Sequence, residues 1–269
     1  MSRIFVTGAA SGIGRHLVGL LAGRGHQVVA ADVDQDGLAG ARAREGWSDS
    51  VLSTYLDVTS DHDWAAAFDF ARERLRGIDV LLNVAGVLSP GFVTDVHPRD
   101  VDRTLNVNVK GVVFGTREAA RRMIAEKNPG HIVNIGSLAS LTPVPGLSIY
   151  CASKWAVRGF TLSAAVELEP HGIGVSLVCP DAVETPMLDI QKDREEAALT
   201  FSGSRALTVE EVGRVIVEHV LPKRPLEISI PMARGLLARV GGVAPAAAKA
   251  LYPLMKKKGA TQQKRARES

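Results

Sequence analysis

The chain has 269 residues, of which 46% are hydrophobic and 23% charged, as is typical of a globular protein with one large or two small domains. It contains no run of about 18 apolar residues, so no membrane-spanning helix is expected. The net charge of +3 arises from the last 14 residues, which contain six Lys or Arg and one acid, whereas the preceding 255 carry 26 basic and 28 acidic side chains. A nucleic-acid-binding protein usually has basic residues across a folded face, so no nucleic-acid partner is expected.

A strand pattern begins by residue 4 of MSRIFVTGAASGIG, which leaves no room for a signal or transit peptide. The two cysteines, Cys151 and Cys179, lie in apolar segments and are expected to be free, buried thiols. No histidine or cysteine pair has the spacing of metal ligands. We therefore expect a cytoplasmic protein without a metal site.

Short apolar, β-branched runs alternate along the chain with longer helical patterns. Strands are predicted near residues 3–7, 27–32, 51–56, 79–83, 131–136, 173–179 and 226–230. Helices are predicted near residues 12–24, 35–45, 61–76, 98–127, 149–170, 186–200 and 208–220. This alternation predicts an α/β fold in which helices flank a doubly wound sheet of seven parallel strands, as one domain over residues 1–230. In such sheets, ligands bind beyond the carboxyl ends of the strands.

The segment TGAASGIG, residues 7–14, follows the first predicted strand and precedes the first predicted helix. Its glycines, Gly8, Gly12 and Gly14, allow a tight turn that brings backbone amides to a helix N-terminus, where a pyrophosphate is stabilised. A dinucleotide-binding turn requires this context, although the spacing differs from G-x-G-x-x-G. The glycine pattern alone is a weak signal, because Gly-rich turns often join strands to helices.

The second predicted strand ends at Asp32, 18 residues after Gly14. A carboxylate here can bind the ribose hydroxyls of NAD and would repel the 2′-phosphate of NADP. Position 11 is Ser11 rather than a basic residue that could bind that phosphate. The sequence therefore favours NAD, and a solvated or helix-capping Asp32 is the alternative.

Tyr150 and Lys154 lie four residues apart in SIYCASKWAV, so a helix would place both side chains on one face. A tyrosine with a pKa of about 10 is a poor base at neutral pH, but a nearby cation favours the phenolate and lowers that pKa. The pair could therefore serve as an acid–base group. The alternative, a rim hydroxyl beside a solvated lysine, is the more common arrangement when only the pair is considered.

These motifs, in this order, strongly resemble the short-chain dehydrogenase/reductase family over about residues 3–230. TGAASGIG is similar to the cofactor turn of that family, LDV with Asp57 and Val58 to its adenine contact, and NVAG at residues 83–86 to its NNAG motif. The resemblance implies a Rossmann-like fold that binds NAD. The cofactor-binding residues that it implies are Gly8, Ser11, Gly12, Ile13, Gly14, Asp32, Asp57, Val58, Asn83, Ala85, Gly86, Tyr150, Lys154, Val183 and Thr185.

Asn108 in NVNVKG, Ser137 in VNIGS, and Tyr150 and Lys154 in YCASK match the catalytic tetrad of the family. The resemblance implies that Tyr150 exchanges the hydroxyl proton of the substrate, while Lys154 lowers its pKa and binds the nicotinamide ribose. Ser137 would hold the substrate oxygen, and Asn108 would hold a water that links Lys154 to solvent. A hydride would pass between the nicotinamide and the substrate carbon, so the expected reaction interconverts a secondary alcohol and a ketone.

After the sixth predicted strand, CPDAVETPML has Asp181 where the family usually has a glycine. Val183 and Thr185 match residues expected beside the nicotinamide, and Thr185 before Pro186 also has the pattern of a helix N-cap. Asp181 could shape substrate choice or could be a solvent-facing turn residue. Five residues near the expected pocket favour an apolar or lipid-like substrate: Leu138, Val144, Leu147, Met187 and Leu188.

Residues 231–269 extend beyond the usual end of this fold. Their pattern predicts two short amphipathic helices, separated by Gly241-Gly242 and Pro245, and a basic tail that is disordered over its last dozen residues. This extension could cap the parent domain, pack on another subunit or contact an anionic membrane surface as a peripheral segment. Apolar residues on several faces of the predicted helices at 98–127 and 149–170 favour a homodimer or a homotetramer.

The sequence thus favours an NAD-dependent oxidoreductase that acts on a small-molecule alcohol or ketone. An NADP-dependent carbonyl reductase is disfavoured by Asp32. A non-catalytic protein that senses NAD is disfavoured by the complete tetrad, because sensing has no need of an acid–base group.

Overall fold

The computed structural model describes residues 1–268 and contains one sheet of seven strands. The strands are β1 Arg3–Thr7, β2 Gln27–Asp32, β3 Val51–Tyr55, β4 Val80–Asn83, β5 His131–Ile135, β6 Gly174–Pro180 and β7 Glu227–Ile230. They are paired in parallel in the order β3-β2-β1-β4-β5-β6-β7. Since the strand order reverses between β1 and β4, a crevice opens at their carboxyl ends. The predicted Rossmann-like, doubly wound fold is confirmed.

Helices flank the sheet on both faces. They are α1 Gly12–Gly23, α2 Gln35–Glu45, α3 Asp61–Leu75, α4 Pro98–Leu105, α5 Gly111–Ala125, α6 Ser148–Leu168, α7 Pro186–Lys192, α8 Val209–Val215, α9 Leu221–Lys223, α10 Met232–Val243 and α11 Pro245–Glu268. The prediction of a single helix over residues 98–127 is wrong in one respect. A π-helical turn at Asn106–Lys110 separates α4 from α5. A second π turn at Ile216–Val220 separates α8 from α9, and 3₁₀ turns occupy Leu138–Ser140, Glu169–His171 and Glu195–Ser202.

The sheet separates two apolar layers, because successive side chains of a strand point to opposite faces. In β1, Ile4 packs in the layer that contains Leu17 of α1. Phe5 faces the other layer, where its ring centroid lies 6.1 Å from that of Trp64 and 5.0 Å from that of Phe68. Burial of each such side chain contributes about 1.5–3 kcal/mol. The strands therefore read as continuous apolar runs, since both faces of the sheet are covered.

The C-terminal extension forms α10 and α11, and the two predicted helices are present with different bounds. The glycines at 241 and 242 lie inside α10, and the break falls at Ala244. The predicted disorder of the basic tail is wrong, because α11 continues to Glu268. Ala, Lys, Arg and Gln are strong helix formers, and the buried amide of Gln263 donates hydrogen bonds to two backbone oxygens elsewhere in the chain. Within residues 1–268, no helix combines the length and apolarity needed to cross a membrane.

Candidate active site

The glycine turn between β1 and α1 packs so closely that side chains are excluded from it. Gly8 and Gly12 have φ angles of +68° and +53°, which favour glycine. A Cβ atom on Gly8 would lie 2.8 Å from Cα of Ala85, and one on Gly14 would lie 2.1 Å from the carbonyl oxygen of Gly8. Bare backbone therefore lines the start of α1, where the helix dipole favours an anion. This arrangement fits a dinucleotide pyrophosphate.

Asp32 stands at the end of β2 beside the same turn. Its carboxylate oxygens accept hydrogen bonds from the backbone amides of Ala10, at 2.9 Å, and Asp34, at 3.0 Å. The cap of α2 is Asp34, which accepts from the amide of Gly37 at 2.9 Å. The helix-capping alternative for Asp32 is therefore wrong. Ser11 is the exposed N-cap residue of α1, and its side chain makes no capping hydrogen bond.

Thr7 joins the two strands that diverge at the crevice, a role that the sequence analysis missed. The β1–β4 pairing ends at Val6 and Leu82. Beyond that point, the buried hydroxyl of Thr7 accepts hydrogen bonds from the amides of Val84 and Ala85, at 3.0 and 3.1 Å. The threonine before the first glycine is the only sequence signal for this contact. It fixes the predicted residues Ala85 and Gly86 beside the glycine turn.

Asn83 lies at the end of β4, but its side chain belongs to a buried polar network. Its amide nitrogen donates to Asn134 at 2.8 Å and to the hydroxyl of Thr116 at 3.4 Å. The predicted cofactor contact of Asn83 stays a prediction. The sequence cannot distinguish this network from a cofactor contact, because Asn134 and Thr116 are distant along the chain.

Asp57 and Val58 follow β3 at the edge of the crevice. One carboxylate oxygen of Asp57 accepts from the amide of Thr59 at 2.8 Å, and the carbonyl of Val58 accepts from the indole of Trp64 at 3.0 Å. A Cβ on Gly111 would lie 2.9 Å from the side chain of Val58. These contacts fix the loop after β3 against α3 and α5, and the predicted adenine contact of both residues stays a prediction.

Tyr150 and Lys154 face the same cavity from α6, and both side chains are buried. The ammonium of Lys154 lies 5.6 Å from the Tyr150 ring centroid and donates to the carbonyl of Ile135 at 2.8 Å. Ser137 follows β5 in extended backbone, and its hydroxyl accepts from the amide of Ala139 at 3.1 Å. The hydroxyl of Ser137 lies beside that of Tyr150, where it opposes the rise in the pKa of the phenol. Three residues of the predicted tetrad are thus brought together.

Asn108 lies fully buried in the π turn, and its side chain has several protein partners. The side-chain oxygen accepts from the amide of Val87 at 2.8 Å, while the nitrogen donates to the Val87 carbonyl at 2.9 Å and to Ser153 at 3.0 Å. The amide thus ties the loop after β4 to α6, the helix that carries Lys154. The predicted role of Asn108 in holding a water for Lys154 stays a prediction.

The tetrad residues other than Asn108 line one cleft of about 640 Å³. From the predicted cofactor set, Ile13, Gly86, Val183 and Thr185 also line it. All five apolar residues expected near the pocket do so too: Leu138, Val144, Leu147, Met187 and Leu188. The extension contributes further walls that the sequence analysis missed: Leu237, Val240, Ala244, Ala248, Leu251, Tyr252 and Met255. Most of the lining is therefore apolar, and its polar groups include Ser137, Tyr150 and Lys154.

Comparison with known protein families assigns the chain. A model of the short chain dehydrogenase family matches residues 2–196, which include the glycine turn, the cleft-lining Tyr150 and the end of β6. The chain belongs to this family. Its extension, α10 and α11, lies outside the matched residues.

The relatives of this short-chain dehydrogenase include proteins that act on alcohols of different sizes. The chain is 37% identical over 214 residues, 79% of each chain, to the 3-alpha-(or 20-beta)-hydroxysteroid dehydrogenase of Mycobacterium tuberculosis. It is 38% identical over 203 residues, 73% of this chain and 80% of the relative, to the 2-(R)-hydroxypropyl-CoM dehydrogenase of Xanthobacter autotrophicus. A crystal structure of a short-chain dehydrogenase/reductase from Burkholderia phymatum in complex with NAD is 29% identical, with a TM-score of 0.82 over 92% of this chain and 95% of that one.

Burial is the main cause of the pKa shifts of Tyr150 and Lys154 in the candidate active site. It raises the pKa of Tyr150 to about 12, although the hydrogen bond with Ser137 opposes the shift. Burial also lowers the pKa of Lys154 to about 8. The predicted lowering of the Tyr150 pKa by Lys154 is not found in the protein alone, because loss of solvation of the phenolate outweighs the opposing effect of Ser137. The free thiols predicted at Cys151 and Cys179 are confirmed, and burial raises their pKa values to about 11 and about 12.

Asp181 lines the cleft just after β6, and its carboxylate forms an ion pair with Arg234 of α10. Its side chain is 12% exposed, so the solvent-facing alternative is wrong. Thr185 occupies the N-cap position of α7, but its hydroxyl donates to the carbonyl of Val183 at 3.1 Å and makes no capping hydrogen bond.

Proposed function

We propose that this short-chain dehydrogenase uses NAD to interconvert a secondary alcohol and a ketone that carries a large apolar, lipid-like frame. The observation that carries the proposal is the convergence of Tyr150, Ser137 and Lys154 on one apolar cleft. Ile13 of the glycine turn lines the same cleft, so a dinucleotide held by that turn would reach the acid–base group. Clefts of about 300–1,000 Å³ suit ligands of drug-like size.

The choice of NAD rests on Asp32, whose carboxylate is held by two backbone amides next to the glycine turn. A fixed carboxylate can accept hydrogen bonds from ribose hydroxyls and repels a 2′-phosphate. The structure from Burkholderia phymatum, which covers nearly the whole chain, contains NAD. Both observations support NAD over NADP.

In the proposed reduction, the substrate ketone lies with its oxygen between the hydroxyls of Ser137 and Tyr150. Bound NADH supplies the hydride to the carbonyl carbon. Ser137 orients the oxygen, and Tyr150 transfers its phenolic proton to that oxygen as the alcohol forms. Lys154 supplies positive charge beside the phenolate that remains. In the oxidation, the phenolate of Tyr150 takes the hydroxyl proton of the alcohol, and the same carbon gives up a hydride that bound NAD⁺ would accept.

The experiment is reduction of NAD⁺ and of NADP⁺ with a panel of secondary alcohols, followed by the absorbance of the reduced nicotinamide. The panel contains short aliphatic, cyclic, steroid and long-chain alcohols. We expect turnover with NAD⁺ that disappears in Tyr150→Phe and persists in the control Tyr55→Phe, because Tyr55 lies exposed on β3. Preference for NADP⁺ would contradict the role of Asp32. Tight binding of NAD⁺ without turnover of any alcohol would contradict the enzymatic proposal and favour a sensor of NAD.

We also propose that the protein is a homodimer or a homotetramer. The helices predicted to associate expose large apolar side chains: Leu105, Ile124, Trp155 and Val166. Light scattering of the purified protein measures the mass directly, and a monomer at micromolar concentration would contradict this proposal.

A cytoplasmic location is proposed from the free thiols. Peripheral contact with an anionic membrane is proposed from exposed Val243 and Leu254 near the lysines at 256–258, and sedimentation with anionic vesicles tests it.

A further inference from the structure

The extension forms a wall of the cleft that also contains the acid–base group. Residues from both of its helices line the cavity, and these residues lie beyond the part of the chain that matches the family model. A small alcohol held between Ser137 and Tyr150 would not need this wall. A substrate with a large apolar frame would fill the cavity and bury its far end against α10 and α11. A displacement of α10 should therefore weaken the binding of a large substrate more than that of a small one.

Two points along the extension are held by close backbone contacts. Near the C-terminus of α10, a Cβ on Gly242 would lie 2.1 Å from the carbonyl oxygen of Leu141, in the loop after Ser137. In α11, a Cβ on Gly259 would lie 2.1 Å from the carbonyl oxygen of Ala198. These contacts need no charge.

The first turn of α10 combines a close contact, since a Cβ on Gly235 would lie 2.1 Å from Cβ of Ser229, with the ion pair between Arg234 and Asp181. The side chains are 29% and 12% exposed, so the charges are only partly solvated. A Cβ on Gly203 would lie 3.5 Å from the carboxylate of Asp181 and 3.6 Å from Cζ of Arg234, so the loop after residues 195–202 meets the same pair. Three segments that surround the cleft thus converge on one ion pair: the end of β6, this loop and α10.

We propose that the Asp181–Arg234 pair is a specificity determinant that holds α10 against the cleft and thereby favours bulky apolar secondary alcohols of steroid size. This inference rests on the proposed function. Attraction between charges at a poorly solvated position exceeds that of a surface pair, and loss of one partner leaves the other charge uncompensated. The polar contacts of both side chains are with each other and not with Ser137 or Tyr150, so we expect the pair to affect the binding of a large substrate more than the chemical step.

The test compares Arg234→Met and Asp181→Asn with Arg239→Met in the full-length enzyme. Arg239 also lies on α10 and also forms an ion pair, with Glu227 at 2.7 Å, but it does not line the cleft. We expect kcat/KM for a steroid alcohol to fall about tenfold in Arg234→Met and Asp181→Asn, mainly through KM, as loss of uniform binding predicts. We expect kcat/KM for cyclohexanol to change less than about threefold in the same variants. Arg239→Met should leave the ratio of the two substrates unchanged.

Equal losses for both substrates, or no loss for either, would overturn the proposal. The exchanged pair Asp181→Arg/Arg234→Asp should recover part of the selectivity if the ion pair itself is responsible. Hydrogen exchange supplies a measure that does not depend on turnover. Exchange of the backbone amides of α10 at residues 235–240 should quicken in Arg234→Met and not in Arg239→Met, and unchanged exchange there would also refute the proposal. If the wild-type enzyme oxidises no alcohol, the proposed function fails while this exchange measurement still decides whether the pair holds α10.

Discussion

Replacing Gly14 by alanine tests whether close packing of the glycine turn determines both stability and dinucleotide binding. The added Cβ would lie 2.1 Å from the carbonyl oxygen of Gly8 and 2.7 Å from its carbonyl carbon. Both atoms are backbone, so neither can swing aside, and α1 must shift away from β1. Overpacking a well-packed site usually costs about 1–3 kcal/mol, and we expect a loss at or above the upper end of that range.

The matched control is Gly23→Ala, in the last residue of the same helix, where nothing lies within 4 Å of an added Cβ. Alanine there should raise the free energy of unfolding by up to about 1 kcal/mol, because it restricts the unfolded chain. Urea unfolding gives both free energies, and fluorescence titration gives the affinity for NADH. We expect Gly14→Ala alone to lose stability and affinity. If the two variants unfold at the same urea concentration and bind NADH equally, the packing explanation of the turn is wrong.

Asp32→Ala should lower the ratio of kcat/KM for NAD⁺ to kcat/KM for NADP⁺ by about tenfold or more, because it removes the charge that repels the 2′-phosphate. Steady-state kinetics with both cofactors measures this ratio, and an unchanged ratio would contradict the prediction. Asn108→Ala should lower the free energy of unfolding by about 1–3 kcal/mol, because the backbone amide and carbonyl of Val87 lose their hydrogen-bond partner. Urea unfolding measures this loss. His131 donates or accepts a 2.8 Å hydrogen bond with Ser176, and burial lowers its pKa from 6.5 to about 4. The folded state therefore excludes a proton that the unfolded chain binds below pH 6.5, so up to about 3 kcal/mol of stability is lost as the pH falls from 6.5 to 4. The loss over this interval should be smaller in His131→Asn, and equal losses in both proteins would refute the assignment.

The strands could be predicted from the sequence to within a residue or two because both faces of the sheet are buried. Each strand is an apolar run that ends where the chain becomes polar, as at Asp32 and Asn83. The parallel, doubly wound arrangement of the strands also followed from their alternation with helices. The resemblance to the short-chain dehydrogenase/reductase family implied that Ser137, Tyr150 and Lys154 share one active site, and these residues line one cleft.

Properties that depend on contacts between distant segments could not be predicted in this way. The π turn at Asn106–Lys110 coincides with hydrogen bonds between Asn108 and Val87, 21 residues apart. The helix in the basic tail depends on carbonyl groups that Gln263 reaches more than 60 residues away. The pKa of Tyr150 shows the same limit, since the sequence places a cation nearby but does not show how completely the phenol is buried.

The position of α10 and α11 has a consequence for the synthesis of this protein. Both strands that border the dinucleotide crevice, and the helix that carries Tyr150, are translated before residue 170, whereas the far wall of the cleft is translated after residue 231. The segments that border the dinucleotide crevice are therefore synthesised before α10 and α11. Until then, the apolar cleft lining that these two helices cover is exposed to water. This part of the cleft lining is covered only when the last 37 described residues, 232–268, have left the ribosome.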